Sequence, residues 1–257
     1  MNRSLSMIGI MGAIPEEVGG IIAALGENCE VITRGMRRYH LGTLWGNDIV
    51  AVYSRIGKVA AATTATHLLA DFKVDQILFT GVAGGLSSSV NVGDIVVGGD
   101  LYQHDMDARP LFERHVIPLL GRSFLSTPQQ LRGRCLIAAR EFLELDLSAV
   151  IRDDVLAAFK IDRPKVVVAG IASGDKFFSD QRDAQELAER LPVACVEMEG
   201  AAVAQVCHEY GVDYAVIRTI SDSANSTAHV DFGKFVSEVA ANYSYGVIRR
   251  LLLAGNG

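Results

Sequence analysis

Residues 165–173, Lys-Val-Val-Val-Ala-Gly-Ile-Ala-Ser, form a continuous apolar run of strand length with no polar alternation to mark a solvent face. A strand of that kind is buried on both sides, as in sheets covered by helices on both faces. Further strand-like runs occur at 7–14, 76–83, 94–99, 193–196 and 213–220, and helical patterns stand between them at 58–72, 131–145 and 200–210. Pro15 suits the first turn of a helix, with Glu16 and Glu17 at its positive end. Asp180 is placed as an N-cap with Asp183 at N3 of a helix ending before Pro192, and Gly211 follows residues 200–210 as a C-terminal stop. Asp231 is expected to cap a long closing helix that carries Phe232, Phe235, Val236, Val239, Tyr243 and Val247 on one face. The alternation predicts an α/β layered fold. Residues 38–44 and 48–54 flank Trp45-Gly46-Asn47 as a hairpin, so the sheet is mixed rather than purely parallel. No repeat or low-complexity linker breaks the pattern, and one domain is expected over 1–257.

The charge balance, 24 Lys+Arg against 30 Asp+Glu for a net −6, argues against non-specific nucleic-acid or anionic-membrane binding, which needs clustered cations. No apolar run approaches the roughly 18 residues of a membrane-spanning helix. Residues 1–7 lack the apolar core and small-residue cleavage site of a secretory signal. Cys29, Cys135, Cys195 and Cys207 sit singly and read as small hydrophobes of a reduced, cytoplasmic protein.

Carboxylates concentrate at strand ends, where α/β proteins place their sites. Glu16-Glu17 follows the first strand, Glu197-Met198-Glu199 follows 193–196, and Ser221-Asp222 follows 213–220. Each has a plain structural alternative: the first pair can complement a helix dipole, the second can cap a helix near Gly200, and Asp222 can form an Asx-turn. Arg218 inside an apolar strand is harder to set aside, because a buried guanidinium needs a carboxylate partner. Three acidic strand ends and an embedded arginine favour a site. Gly9-x-x-Gly12 lacks the third glycine of a dinucleotide fingerprint, and two glutamates beside it would repel a pyrophosphate. His104-Asp105-Met106-Asp107 matches no metal spacing and reads as a polar strand or loop. Gly174-Asp175-Lys176 before Phe177 and Phe178 suggests a loop that offers aromatic rings for stacking.

Val196-Glu197-Met198-Glu199-Gly200, followed by Arg218-Thr219-Ile220-Ser221-Asp222, resembles the bacterial 5′-methylthioadenosine/S-adenosylhomocysteine nucleosidases of the purine nucleoside phosphorylase superfamily. The resemblance extends through Gly9-Ile10-Met11-Gly12-Ala13-Ile14-Pro15-Glu16-Glu17, Ile56-Gly57-Lys58, Ala83-Gly84-Gly85 and Ser173-Gly174-Asp175, nearly the whole chain in order. It implies a three-layer α/β/α sandwich around a mixed, partly barrelled sheet, and a homodimer whose partners complete each other's pockets. It also implies hydrolysis of 5′-substituted adenosines to adenine and free sugar, with no cofactor and no metal. By position, Asp222 matches the acid that protonates the leaving adenine, Glu17 the carboxylate that activates water, and Arg218 the arginine beside it. Glu199 matches the carboxylate on the ribose hydroxyls, Met198 the residue packed on the sugar, Phe177 the ring stacked on adenine, and Phe178 the backbone reading the purine edge. Ile14, Ile56, Val82, Ser221 and Phe232 fall at further pocket positions, Val82 where the family usually carries a hydroxyl. Residues 109–118 differ from the short polar stretch of the family, and Leu111, Phe112, Val116, Ile117, Leu119 and Leu120 are read as a partner surface.

Independently of the resemblance, cleavage of a C–N glycosidic bond passes through an oxocarbenium-like state that an acid at the leaving group and a base at water can serve. An aspartate that donates a proton near neutrality needs a raised pKa, which burial at the end of an apolar strand would supply. The competing readings are a phosphorylase that uses phosphate, a nucleosidase for an aminofutalosine-type substrate, and a non-catalytic nucleoside binder. Against the first, the superfamily's phosphate-binding arginine falls at Phe79 here. Against the last, a binder has no use for both an acid and a base.

Overall fold

A computed structural model describes residues 7–27, 29–223 and 232–255. The chain runs β1 (Met7–Gly12), α1 (Pro15–Leu25), β2 (Glu30–Arg34), β3 (Arg37–Leu44), β4 (Asn47–Tyr53), α2 (Lys58–Ala70), β5 (Gln76–Gly85) and β6 (Ile95–Gln103). It continues with β7 (Leu125–Ser126), α3 (Gln129–Glu141), α4 (Leu147–Val150), α5 (Asp153–Ala158), β8 (Val166–Ser173), α6 (Gln181–Arg190) and β9 (Val193–Glu197). The last elements are α7 (Gly200–Tyr210), β10 (Asp213–Asp222), α8 (Phe232–Phe235) and α9 (Ala241–Ala254).

The sheet is both open and closed. β5, β10, β6, β8 and β9 pair in a ring, because β5 hydrogen-bonds to β9 on one side of the circuit and to β10 on the other. From β5 the sheet continues outward through β1 and β4 to β3 and β2. The expected mixed, partly barrelled sheet is therefore present. Its two faces follow the period of two along each strand. Met11, Val50, Val52, Ile77 and Phe79 join one core with Ala61, Ala65 and Leu68 of α2 and Ala201, Val203 and Cys207 of α7. Their alternates Ile8, Ile10, Ile49, Ala51 and Leu78 join the opposite core with Ile21 of α1, Leu131 and Cys135 of α3, and Tyr243, Val247 and Ile248 of α9. Helices thus cover both faces, the three-layer arrangement.

The Trp45-Gly46 turn has both residues at positive φ, 47° and 75°, which matches the twist of a two-residue hairpin. Gly35 and Met36 repeat this geometry between β2 and β3. β2 is an exposed edge strand with charged ends, so it carries little of the apolar signal that marks the others. β6 runs on to Gln103, past the expected end at Gly99, because Leu101, Tyr102 and Gln103 are buried. The helix expected at 131–145 passes through a π turn at Phe142–Asp146, and α8 runs into α9 through another at Val236–Ala240. Asp231, the expected cap, lies outside the described residues. The apolar stretch expected to form a partner surface divides: Ile117 is buried and Leu120 packs on the core, whereas Leu111 and Leu119 are exposed.

Candidate active site

One cavity opens where β1, β4, β5, β8, β9 and β10 end. It is lined by Ala13, Ile14, Glu17, Ile56, Val82, Ala83, Gly84, Lys176, Phe177, Phe178, Val196, Glu197, Met198, Glu199, Ser221, Asp222 and Phe232. Of the residues matched to family positions, all line it except Arg218, which is fully buried behind the wall; Glu16 and the His104–Asp107 stretch do not line it.

Pro15 opens α1 at its first position and Glu17 follows in the first turn. Glu16 stays exposed while Glu17 turns inward and is buried. Glu17 Oε2 accepts from the amides of Ala13 (2.5 Å) and Ile14 (3.2 Å), and Oε1 accepts from the amide of Val82 (3.1 Å). The bond from Ile14 is also half of a capping box, so the helix-capping alternative and the site are the same contact. Burial pushes the Glu17 carboxyl above the ordinary glutamate range, against the opposing pull of Arg218 and the three amides.

Arg218 is 1% exposed, and its Nη2 and Nε donate to Glu197 Oε2 at 2.6 and 3.2 Å. Its guanidinium lies over the Phe79 ring, 4.1 Å from the centroid. Glu197 is thus the partner that the embedded arginine requires, a role the sequence reading left open. Its oxygens also accept from the amides of Glu199 (3.1 Å) and Gly200 (2.8 and 2.9 Å) and from the Ser173 hydroxyl, which itself accepts from the Ala201 amide at 2.7 Å. Glu197 therefore does cap α7. Glu199 does not: its Oε1 reaches across to accept from the Gly57 amide at 2.8 Å. Burial, reinforced by the negative charge of Glu197, raises the Glu199 carboxyl to about 8, against Arg218 and the Gly57 amide.

The pairing of β10 with β5 slips between Ile220 and Asp222, and this bulge aims both Ser221 and Asp222 at the cavity. Ser221 Oγ donates to Asp222 Oδ2 at 2.6 Å. Across the cavity Phe177 is half exposed, its ring edge-on to Phe232 at 6.4 Å. Phe178 turns its ring inward against His104 at 5.2 Å, which leaves its backbone at the cavity. Among the described residues no cluster of three or more His, Cys, Asp or Glu side chains is arranged to hold a metal ion. The sequence reading placed Gly57 and Ser173 within the resemblance but gave neither a role. Nothing marks a lone buried serine or a turn amide as a contact until the chain is folded.

A closed five-strand ring extended by an open sheet, with carboxylates gathered around a cavity at the strand ends, defines an α/β protein whose candidate site lies at those ends. The chain belongs to the phosphorylase superfamily, whose family model matches residues 7–252. It is 34% identical over 247 residues to the 5′-methylthioadenosine/S-adenosylhomocysteine nucleosidase of Shewanella sp. (strain W3-18-1), covering 96% of this chain and 97% of that one. The Helicobacter pylori nucleosidase of the same name, solved with butyl-thio-DADMe-Immucillin-A, superposes with a TM-score of 0.82 at 31% identity, covering 97% of this chain and 98% of that one. The futalosine hydrolase of H. pylori superposes with a TM-score of 0.80, also at 31% identity, over 96% of this chain and 97% of that one.

Proposed function

We propose that this chain is an N-glycosidic hydrolase that cleaves 5′-substituted adenosines, namely 5′-methylthioadenosine, S-adenosylhomocysteine and 5′-deoxyadenosine, into adenine and the free sugar. Water bound beside Glu17 attacks C1′ and gives its proton to the carboxylate. The C1′–N9 bond breaks, its electron pair passes to the purine, and Asp222 delivers a proton to the base. Glu199 holds the ribose hydroxyls and, once ionised, stabilises the positive charge developing on the sugar. Met198 packs on the ribose, Phe177 stacks on adenine and the Phe178 backbone reads its edge. Ile14, Ile56, Val82 and Phe232 form apolar walls, and Ser221 orients Asp222. Arg218 acts through Glu17 and Glu197 rather than on the substrate.

The observation that carries the choice of water over phosphate is the charge of the cavity wall. Glu17, Asp222, Glu197 and Glu199 line it, and the lining cation among the described residues, Lys176, has its ammonium on Asp183. Arg218 is already held by Glu197. A phosphate ~4 Å from Glu17 would meet a repulsion on the order of 4 kcal/mol per charge pair at an effective dielectric near 20. Phe79 occupies the core beneath Arg218, where it offers no phosphate contact. An acidic cavity suits an oxocarbenium-like state.

The protein is further proposed to work as a homodimer in the cytoplasm, with exposed Leu111 and Leu119 in the partner surface. Purified protein is to be incubated with a panel of 5′-substituted adenosines, aminofutalosine included, with and without phosphate. Adenine release at a phosphate-independent rate is expected; a requirement for phosphate with formation of a sugar 1-phosphate overturns the hydrolase reading. Light scattering at micromolar concentration giving the mass of a single 27.6 kDa chain refutes the dimer.

A further inference from the structure

His104-Asp105, which matches no metal spacing, lies just after β6 and bridges two segments that flank the cavity wall. Asp105 Oδ1 accepts from Lys58 Nζ at 2.6 Å, and its Oδ2 accepts from the Asp175 amide at 3.0 Å. Asp175 Oδ1 in turn accepts from the Lys58 amide at 2.8 Å, which closes a ring of three residues. Lys58 Nζ also donates to Gln103 Oε1 at 3.2 Å, and Gln103 is buried and donates to Gln205 at 2.6 Å. The ring is therefore tied to β6 and α7 rather than lying loose on the surface.

Each neighbour of the ring carries a piece of the site. Gly57, directly before Lys58, donates its amide to Glu199, and Phe177 and Phe178 follow Asp175 by two and three positions. The approach of these segments is close: a Cβ on Gly57 would sit 3.0 Å from Asp175 Oδ1, at a backbone φ of 100°. His104 completes the anchor. A Cβ on Gly174 would fall 2.2 Å from its Nε2, and the Phe178 ring stands edge-on against it.

We infer that Lys58, Asp105 and Asp175 form a positioning device that holds the loop bearing Phe177 and Phe178 in register with the Gly57–Glu199 contact, and so sets affinity for the nucleoside without entering the chemistry. The inference rests on the nucleosidase reading for its substrate. The ring's contacts fix two binding segments that share no strand. Glu17 and Asp222 are held by separate bonds, to Ala13, Ile14, Val82 and Ser221, which the ring does not touch.

The test is a double-mutant cycle on the full chain with Lys58→Met and Asp105→Ala, with Lys58→Arg as the conservative variant. Each single change is expected to raise KM for 5′-methylthioadenosine roughly tenfold, equivalent to about 1.4 kcal/mol of lost positioning. kcat is expected to stay within about threefold, the double variant to be no worse than the weaker single, and Lys58→Arg to restore most of the affinity. Unchanged KM, additive effects, or a fall in kcat that tracks a lowered Tm overturns the proposal. Calorimetric binding of 5′-methylthioadenosine to the same variants in a Glu17→Gln background gives a readout independent of turnover. Wild-type protein that releases no adenine sinks the nucleosidase reading, whereas ring variants that bind the nucleoside as tightly as their parent sink this one.

Discussion

Gly81 offers a direct test of whether the placement of Glu17 controls catalysis. It pairs with Arg218 across β5 and β10, and a Cβ built on it would lie 2.5 Å from Glu17 Oε1, 2.9 Å from Glu17 Cδ and 3.1 Å from Arg218 Nη1. Ordinary contact needs roughly 3.5 Å, so Gly81→Ala must drive the carboxylate back by about 1 Å. That movement stretches the bond from the Val82 amide, and an unsatisfied buried N–H costs about 1–3 kcal/mol. A displacement of this size near the reacting atoms is worth on the order of 10²-fold in rate. The assay is steady-state adenine release from 5′-methylthioadenosine, with thermal unfolding run alongside to show that the variant folds. Gly19→Ala is the control: it sits within α1 with nothing within 4 Å of its added methyl. It should keep full activity and gain about 0.5–1 kcal/mol of stability from reduced backbone freedom. A folded Gly81→Ala protein with kcat within threefold of wild type would refute the claim that this carboxylate must sit where it does.

Glu17→Gln should lower kcat by about 10²–10⁴-fold, because the amide can orient water but cannot take its proton, while the exposed Glu16→Gln should remain active. In the wild type the rate should climb with pH through a midpoint above the ordinary glutamate range, because burial raises Glu17 and the base works only when ionised. Asp222→Asn should cost a similar factor in kcat yet still bind the nucleoside by calorimetry, and near-full activity would exclude it as the proton donor. Glu199→Gln should raise the Tm of the ligand-free protein, more at pH 9 than at pH 5. The folded carboxyl titrates near 8, so its stabilising protonation is present below about 4.5 and lost as pH rises through 8. A Tm gain that is larger at pH 5 contradicts that sign.

Much of the fold could be read from the chain because the buried strands carry uninterrupted apolar runs and the helix ends carry strong signals, such as Asp180, whose side chain accepts from the Arg182 amide as N-cap, and Gly211 in the left-handed region. The edge strand β2 escaped because its residues face water, and the two π turns because their extra residue leaves the apolar period almost unchanged. At the site, the strand-end acids and Arg218 were legible from residue type and position alone. The assignment of partners was not. Glu197 and Glu199 are two residues apart with equal prior claims to the helix cap, and tertiary contacts separate them: one takes the arginine and the cap, the other a turn amide from 142 positions away. The same holds for Ile117, whose apolar neighbours gave no sign that it alone turns fully inward.

The donors on Glu17 are all main-chain amides, and this bears on how the protein can change. Replacing the side chain of Ala13, Ile14 or Val82 leaves its N–H in place, so among single-residue replacements only proline at one of these positions deletes a donor outright. The apolar wall is different, since Ile14, Ile56 and Phe232 meet the cavity with side chains rather than main-chain donors. Side-chain drift can therefore reshape the apolar wall while the three amides that hold Glu17 persist through any replacement at Ala13, Ile14 or Val82 other than proline.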